Sequence, residues 1–170
     1  MIKTPLSVVR VAAFCLPLTL VASCGSESGA PANSTITVSP DEVIWAVTLS
    51  TCDNSVLQDT YFNIVVKDPS GALMIGTDIS VSLALTPGTL IVPPPPVGFP
   101  PLMYLYDDLD GDGLYLNPVT VFPYYTKTGN FGSKMLRVQY DLSGCTYGGN
   151  LDVHSGSAYG SANIKVEEGT

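Results

Sequence analysis

The stretch from Tyr61 to Leu85, YFNIVVKDPSGALMIGTDISVSLAL, constrains the fold more than any other part of the chain. Phe62, Ile64 and Val66 alternate with Tyr61, Asn63, Val65 and Lys67; further on, Ile79, Val81, Leu83 and Leu85 alternate with Ser80, Ser82 and Ala84. A period of two sends successive side chains to opposite faces, so each run reads as a strand with one buried face. Between them lies Asp68-Pro69-Ser70-Gly71. Its Pro is preset for the second position of a turn and its Gly is free to take positive φ.

The remaining sequence repeats this pattern. Thr35 to Val38 and Glu42 to Leu49 read as one strand broken at Ser39-Pro40, with Val43, Trp45, Val47 and Leu49 sharing a face and Trp45 as a core anchor. Leu102 to Tyr106 and Leu114 to Leu116 read as short strands, Val119 to Phe122 continues the second, and Tyr124 to Asn130 reads as a turn region. Lys134 to Leu142 is a clear strand with Leu136, Val138, Tyr140 and Leu142 inward, and Ser157 to Glu167 closes the domain. The prolines from Pro93 to Pro101 exclude a central strand, because proline lacks the ladder donor; they suit a polyproline-II crossover or an edge cover. No long window shows a helical period. About seven short strands separated by turn signals predict an all-β sandwich.

The N-terminus is an address rather than part of that sandwich. Lys3 and Arg10 precede an apolar core, Val11 to Val21, that is too short for a permanent membrane span. It ends in Leu20-Val21-Ala22-Ser23-Cys24, which resembles a bacterial lipobox: an aliphatic residue, two small residues, then the obligatory Cys. Val21 stands where Leu is commoner. The resemblance implies that residues 1–23 are a lipoprotein signal peptide and that Cys24 becomes the lipidated first residue, held in the membrane by its acyl chains. The alternative is an ordinary secretory signal cut at an A-x-A-like site, with Cys24 incidental. Gly25 follows where inner-membrane retention would call for Asp, which favours the outer membrane. Residues 24–34, ending GSESGAPANS, read as a flexible tether, and residues 35–170 as the folded domain.

With Cys15 in the signal and Cys24 taking lipid, Cys52 and Cys145 remain as one pair in an exported chain, and a disulfide between them is the expectation. The net charge is −8, with only seven Lys and Arg, so the chain lacks the basic footprint that nucleic acid or anionic headgroups require.

One family resemblance is specific enough to name. Val66-Lys67-Asp68-Pro69-Ser70-Gly71, followed by Gly76, Ile79 and Val81, resembles the bacterial immunoglobulin-like domains of the invasin and intimin type. Their pattern is V-x-D-x-x-G, a second Gly five residues on, then alternating aliphatics; Leu73 departs from it where Pro is usual. Asp110 to Leu116 and Thr126 to Tyr140 resemble later parts of the same domains, with a longer insertion between. The resemblance implies an immunoglobulin-like sandwich that serves as a spacer, adhesin or assembly module, and it implies no catalytic residues.

The most chemically pointed segment is the acidic loop 107–113. Asp108, Asp110, Asp112 and Gly113 match D-x-D-x-D-G, the first half of a calcium loop, and Leu114 could add a backbone carbonyl. Alternate carboxylates on a tight curl converge on one hard cation. The twelfth position is Val119 rather than a bidentate Glu, and flanking helices are missing, so an EF-hand is excluded. The loop is then either a weaker calcium site or a solvated hairpin tip in which Asp and Gly only make turns. Tyr104, Tyr106, Tyr115, Tyr124 and Tyr125 could form an aromatic platform for a glycan beside it. His154, the sole histidine, reads as a partly exposed strand-end residue with no identifiable Cys or Ser nucleophile partner. The expectation is a non-catalytic, lipid-anchored envelope domain that contacts another envelope protein or a glycan; the alternative is a calcium or glycan-binding module.

Overall fold

The computed structural model describes residues 29–47, 57–87, 103–108, 113–141 and 147–168. These form strands β1 (Thr35–Ser39), β2 (Glu42–Val47), β3 (Leu57–Lys67), β4 (Asp78–Pro87), β5 (Met103–Asp107), β6 (Tyr124–Lys127), β7 (Ser133–Asp141), β8 (Tyr147–Ser155) and β9 (Ala158–Glu168). One sheet has the order β1-β3-β7-β5 and the other β2-β9-β8-β4-β6. Taking β1, β3, β4, β5, β7, β8 and β9 as strands A to G gives A-B-E-D on one sheet and G-F-C on the other, the strand order of an immunoglobulin-like sandwich. The two further strands, β2 and β6, extend the second sheet at its edges.

The break at Ser39-Pro40 is a change of sheet. β1 pairs antiparallel with β3, Thr35 opposite Lys67, whereas β2 pairs parallel with β9, Glu42 opposite Asn163. The Ser39-Pro40 peptide between them is cis. Trp45 on β2 is buried and stacks on Tyr140 of β7 with ring centroids 5.0 Å apart, tying the two sheets together.

The alternating runs supply the core. Phe62, Ile64, Val66, Leu136, Val138 and Tyr140 line one inner face, and Ile79, Val81, Leu151, Val153, Ala162, Ile164 and Val166 line the other. Gly149 lets the sheets approach at β8, since a Cβ there would lie 2.5 Å from the Met103 sulfur of the opposite sheet, whereas Gly148 admits the neighbouring strand β9, whose Ile164 carbonyl would lie 2.4 Å from a Cβ.

Four segments depart from the sequence expectation. Leu114 to Leu116 and Val119 to Phe122 are not strands; this segment runs beside β5 through a Tyr106–Pro118 bridge and a Val119 N–H to Leu105 carbonyl bond of 2.7 Å. Tyr124 to Lys127, expected in a turn, is the edge strand β6. Strand β8 is additional to those the alternation predicts. The expected tether, residues 24–34, is packed onto the sandwich from Gly29 onward: Ala30 and Ser34 are buried, and the Ala30 N–H donates to Ser155 Oγ at 2.9 Å.

Among the described residues the turns gather at the ends of the sandwich, except the Ser39-Pro40 crossover, which lies partway along the strands between Asn63 and Asn163. Residues 29–34 share one end with the β3–β4 loop, the β6–β7 turn and the β8–β9 turn, as the pairings Thr35–Lys67, Asp78–Lys127, Val65–Ser133 and Ser155–Ala158 require. The pairs Leu57–Asp141, Pro87–Tyr147 and Val47–Glu168 mark the other end.

Candidate functional site

The acidic motif begins inside the sandwich. β5 alternates with Met103, Leu105 and Asp107 buried, so Asp107 points between the sheets from an edge strand. A buried carboxylate needs donors, and three side chains face it. Tyr124 O–H and Thr126 O–H, both from β6 of the opposite sheet, donate to Asp107 Oδ2 at 2.8 and 3.0 Å. Lys134 Nζ lies 2.5 Å from Oδ1, as an ion pair rather than a well-directed hydrogen bond. Lys134 has the inward parity of Leu136 and Val138 on β7, and its side chain is largely covered. The four residues form a polar plug that closes one flank of the sandwich. Burial first, and then the hydrogen bond and negative charge of Asp107, push the Tyr124 phenol up to about 12. Beside the plug, Asn117 to Val121 line an open cleft of about 270 Å³ against Asp107 and Tyr124.

Of the expected calcium ligands, Asp108 and Leu114 are described, whereas Asp110 and Asp112 lie outside the described residues. Asp108 Oδ2 accepts the Gly113 N–H at 2.9 Å, and Gly113 has φ +83°, so the two ends of the loop curl together. The Asp108 carbonyl faces Lys134 Nζ at 3.5 Å. Among the described residues no group of three or more His, Cys, Asp or Glu side chains could hold a metal ion.

The five tyrosines do not share one surface. Tyr104 and Tyr106 face outward from the four-stranded sheet. Tyr115 lies over the same side, edge-on to Tyr61 at 5.5 Å, and its phenol is raised by burial first and then by the charge of Asp108. Tyr124 is turned inward to Asp107, and Tyr125 is exposed on the other sheet. The outer row contains residues that sequence patterning did not single out. Arg137 stands in register between Tyr106 and Tyr61, with its guanidinium 4.4 Å from the centre of the Tyr106 ring. Tyr106 O–H donates to Gln139 Oε1, Gln139 Nε2 donates to Asp59 Oδ1, and Arg137 pairs with that carboxylate at 3.3 Å. Only the known register of three strands would have joined them, because Asp59, Tyr106 and Arg137 are far apart in the chain.

His154 is exposed on β8, as expected, with its ring 4.9 Å from that of Tyr159, whose hydroxyl donates to Asp152. It borders a groove of about 590 Å³ shared with Tyr125, Lys127 and Asp78.

The family motif is turn chemistry. Asp68 Oδ1 accepts the Ser70 N–H, the Ser70 hydroxyl and the Ala72 N–H at 2.6 to 2.9 Å. The Ser70 hydroxyl first, then the Ala72 amide, hold the Asp68 carboxyl below its ordinary range. Gly71 and Gly76 both have positive φ, at 88° and 66°. Cys24, Cys52 and Cys145, the expected lipidation and disulfide residues, lie outside the described residues, as does the proline run.

No protein-family model matches the chain, and no curated protein sequence matches it. Two solved structures are similar at low sequence identity. The ASH/PapD-like domain of human CEP192 (PapD-like domain 7) is 10% identical, with a TM-score of 0.37, over 98% of this chain and 100% of that one. A conjugative transposon lipoprotein from Bacteroides eggerthii is 14% identical, with a TM-score of 0.38, over 79% of this chain and 96% of that one. The strand order alone therefore carries the fold assignment: the described residues form an immunoglobulin-like β-sandwich.

Proposed function

We propose that this chain is a lipid-anchored, non-catalytic immunoglobulin-like module of the Gram-negative outer membrane, with a structural, adhesive or assembly role toward another envelope protein or a glycan. The observation that carries the reading is the docked segment at Gly29 and Ala30, which follows a lipobox-like sequence at Leu20 to Cys24. Only residues 25–28 separate Cys24 from this docked chain, so the folded domain would be held close to its lipid. From there the sandwich reaches outward by roughly 35 Å, the length of eleven strand residues such as those of β3. Such a module presents its outer faces and its far end to a partner.

Membrane fractionation of the wild type and of Cys24→Ser tests this. The wild type should sediment with outer membrane and the variant should become periplasmic. A wild type recovered in the soluble periplasm would overturn the anchor. Crosslinking in intact envelope, alongside a glycan array, would then identify whether the contacting component is a protein or a sugar.

A second reading retains calcium in the 108–114 loop. The Asp108–Gly113 bond favours it, since it brings the two ends of the loop together as a compact cation loop requires. Thermal unfolding with millimolar calcium against chelator decides: a ligand that prefers the native state raises the midpoint, and an unmoved midpoint removes this reading.

A further inference from the structure

The tethered end of the sandwich carries large apolar side chains where turns ordinarily carry polar ones. Leu73 and Ile75 in the β3–β4 loop are 51% and 65% exposed, and Phe131 in the β6–β7 turn is 83% exposed. Met74, between the first two, packs against the core. The two turns are fastened together. Gly76 N–H donates to the Thr128 carbonyl at 3.0 Å, the Thr128 hydroxyl donates to the Met74 carbonyl at 2.6 Å, and Val66 N–H donates to the Gly132 carbonyl at 3.2 Å. Gly132, next to Phe131, sits so close to the β3–β4 loop that a Cβ there would lie 2.7 Å from Leu73 Cβ. Leu73, Ile75 and Phe131 thus belong to one braced tip.

We propose that this tip inserts into the leaflet that holds the acyl chains of Cys24. The proposal rests on the anchor reading above. Five residue steps separate Cys24 from Gly29, a reach of at most about 18 Å even when fully extended. Gly29 itself lies on this end: a Cβ there would be 2.7 Å from the Gly156 nitrogen in the β8–β9 turn, and Ser34 Oγ lies 3.8 Å from the sulfur of Met74. A lipid on Cys24 therefore brings the bilayer to Leu73, Ile75 and Phe131, and lipid is the occupant that an apolar tip beside an acyl anchor fits. The basic side chains beside the tip are matched by acids. Lys127 pairs with Asp78 at 3.3 Å, and Lys67 stands next to Asp68, whose carboxylate is held by the turn. β5 also runs toward this end, where Asp107 stands opposite Leu136 and leads into the acidic loop, so the surroundings of the tip are acidic and the contact is carried by its apolar side chains rather than by anionic headgroups.

The test uses the full-length chain processed in a Gram-negative host and reconstituted into phosphatidylethanolamine and phosphatidylglycerol vesicles that contain brominated lipid. Phe131→Trp places a probe in the tip, and Leu57→Trp places one at the opposite end, at a position 53% exposed. Trp45 is the constant, buried background. The added emission of Phe131→Trp should shift to the blue and be largely lost to brominated lipid, with no loss of quenching when phosphatidylglycerol is omitted, while that of Leu57→Trp persists. Emission from Phe131→Trp that is quenched no more than that of Leu57→Trp overturns the proposal. The mass of the N-terminal peptide from the same preparation separates the two readings. Acylated protein with an unquenched tip contradicts insertion alone; unacylated protein contradicts the anchor, and insertion falls with it.

Discussion

Asp107 and Tyr124 stand on edge strands of different sheets, and a 2.8 Å hydrogen bond from the phenol to the carboxylate joins them. Together with Thr126 and Lys134 they seal a flank where, among the described residues, β5 and β6 are the last strands of their sheets. Removing a donor leaves a buried charge short of a partner, whereas removing the carboxylate takes away the ion-pair partner of the covered Lys134 ammonium and leaves it the Asp108 carbonyl at 3.5 Å. Tyr124→Phe should therefore destabilise by about 1.5 kcal/mol, the lower range for a hydrogen bond to a charged group. Asp107→Ala should cost about 3 kcal/mol or more. Urea unfolding of each variant and of the double variant measures this, and the double should cost less than the sum because the two side chains act on one plug.

The same pair predicts alkaline behaviour. The Tyr124 phenol is pushed from 10.0 up to about 12, so the folded state holds its proton more tightly than the unfolded chain. Its contribution is whole below pH 10 and is lost as pH rises through the folded value. Stability measured across that window should fall less steeply in Tyr124→Phe than in the wild type. Equal slopes would mean that other groups carry the alkaline loss. At the acid end, the lowered Asp68 carboxyl has the opposite sign: its contribution is present above 3.8 and fades as pH falls through its folded value.

Gly148 and Gly149 give a graded steric prediction. An added Cβ at Gly148 meets the backbone carbonyl of Ile164, which cannot move without the β9 ladder. At Gly149 it meets the tip of Met103, a flexible side chain that can turn aside. Gly148→Ala should destabilise by about 2 to 3 kcal/mol and Gly149→Ala by about 1 kcal/mol, within the range for overpacked cores. Thermal or denaturant unfolding would show the order, and a reversed order would contradict the packing described for β8.

Cys52 and Cys145 remain a proposed pair. Leu57, five positions after Cys52, and Asp141, four positions before Cys145, are register partners in β3 and β7. Spans this short let the two thiols meet at the end opposite the tether. A non-reducing peptide map of the periplasmic protein should recover Cys52 linked to Cys145. Reduction should then cost about 4 to 5 kcal/mol on the chain-entropy account, and free thiols at both positions would remove the pair.

How much of this was legible in the sequence depended on whether burial was local. Phe62, Ile64, Val66, Leu136, Val138 and Tyr140 alternate with outward residues because each strand covers the core with one face only, and that regularity is written along the chain. Strand β8 begins Tyr-Gly-Gly-Asn, without alternation, because its shape answers to Ile164 and Met103 on other strands. Tyr124 to Lys127 looks like a turn in isolation and becomes a strand through its pairing with β4 and its bonds to Asp107. The acidic loop reads as a calcium site or a solvated hairpin tip until Lys134, distant in sequence, is seen facing its first carboxylate. The tether ends earlier than composition suggests because Ala30 finds Ser155, a partner that no local pattern marks.

The central claim joins this sandwich to a membrane through one residue, and the mass of the mature N-terminal peptide tests it most directly. The account predicts a chain that begins at Cys24 and carries a diacylglyceryl thioether and an amide-linked acyl group. A mature chain that begins elsewhere, or that begins at Cys24 with its thiol and amine unmodified, would contradict it.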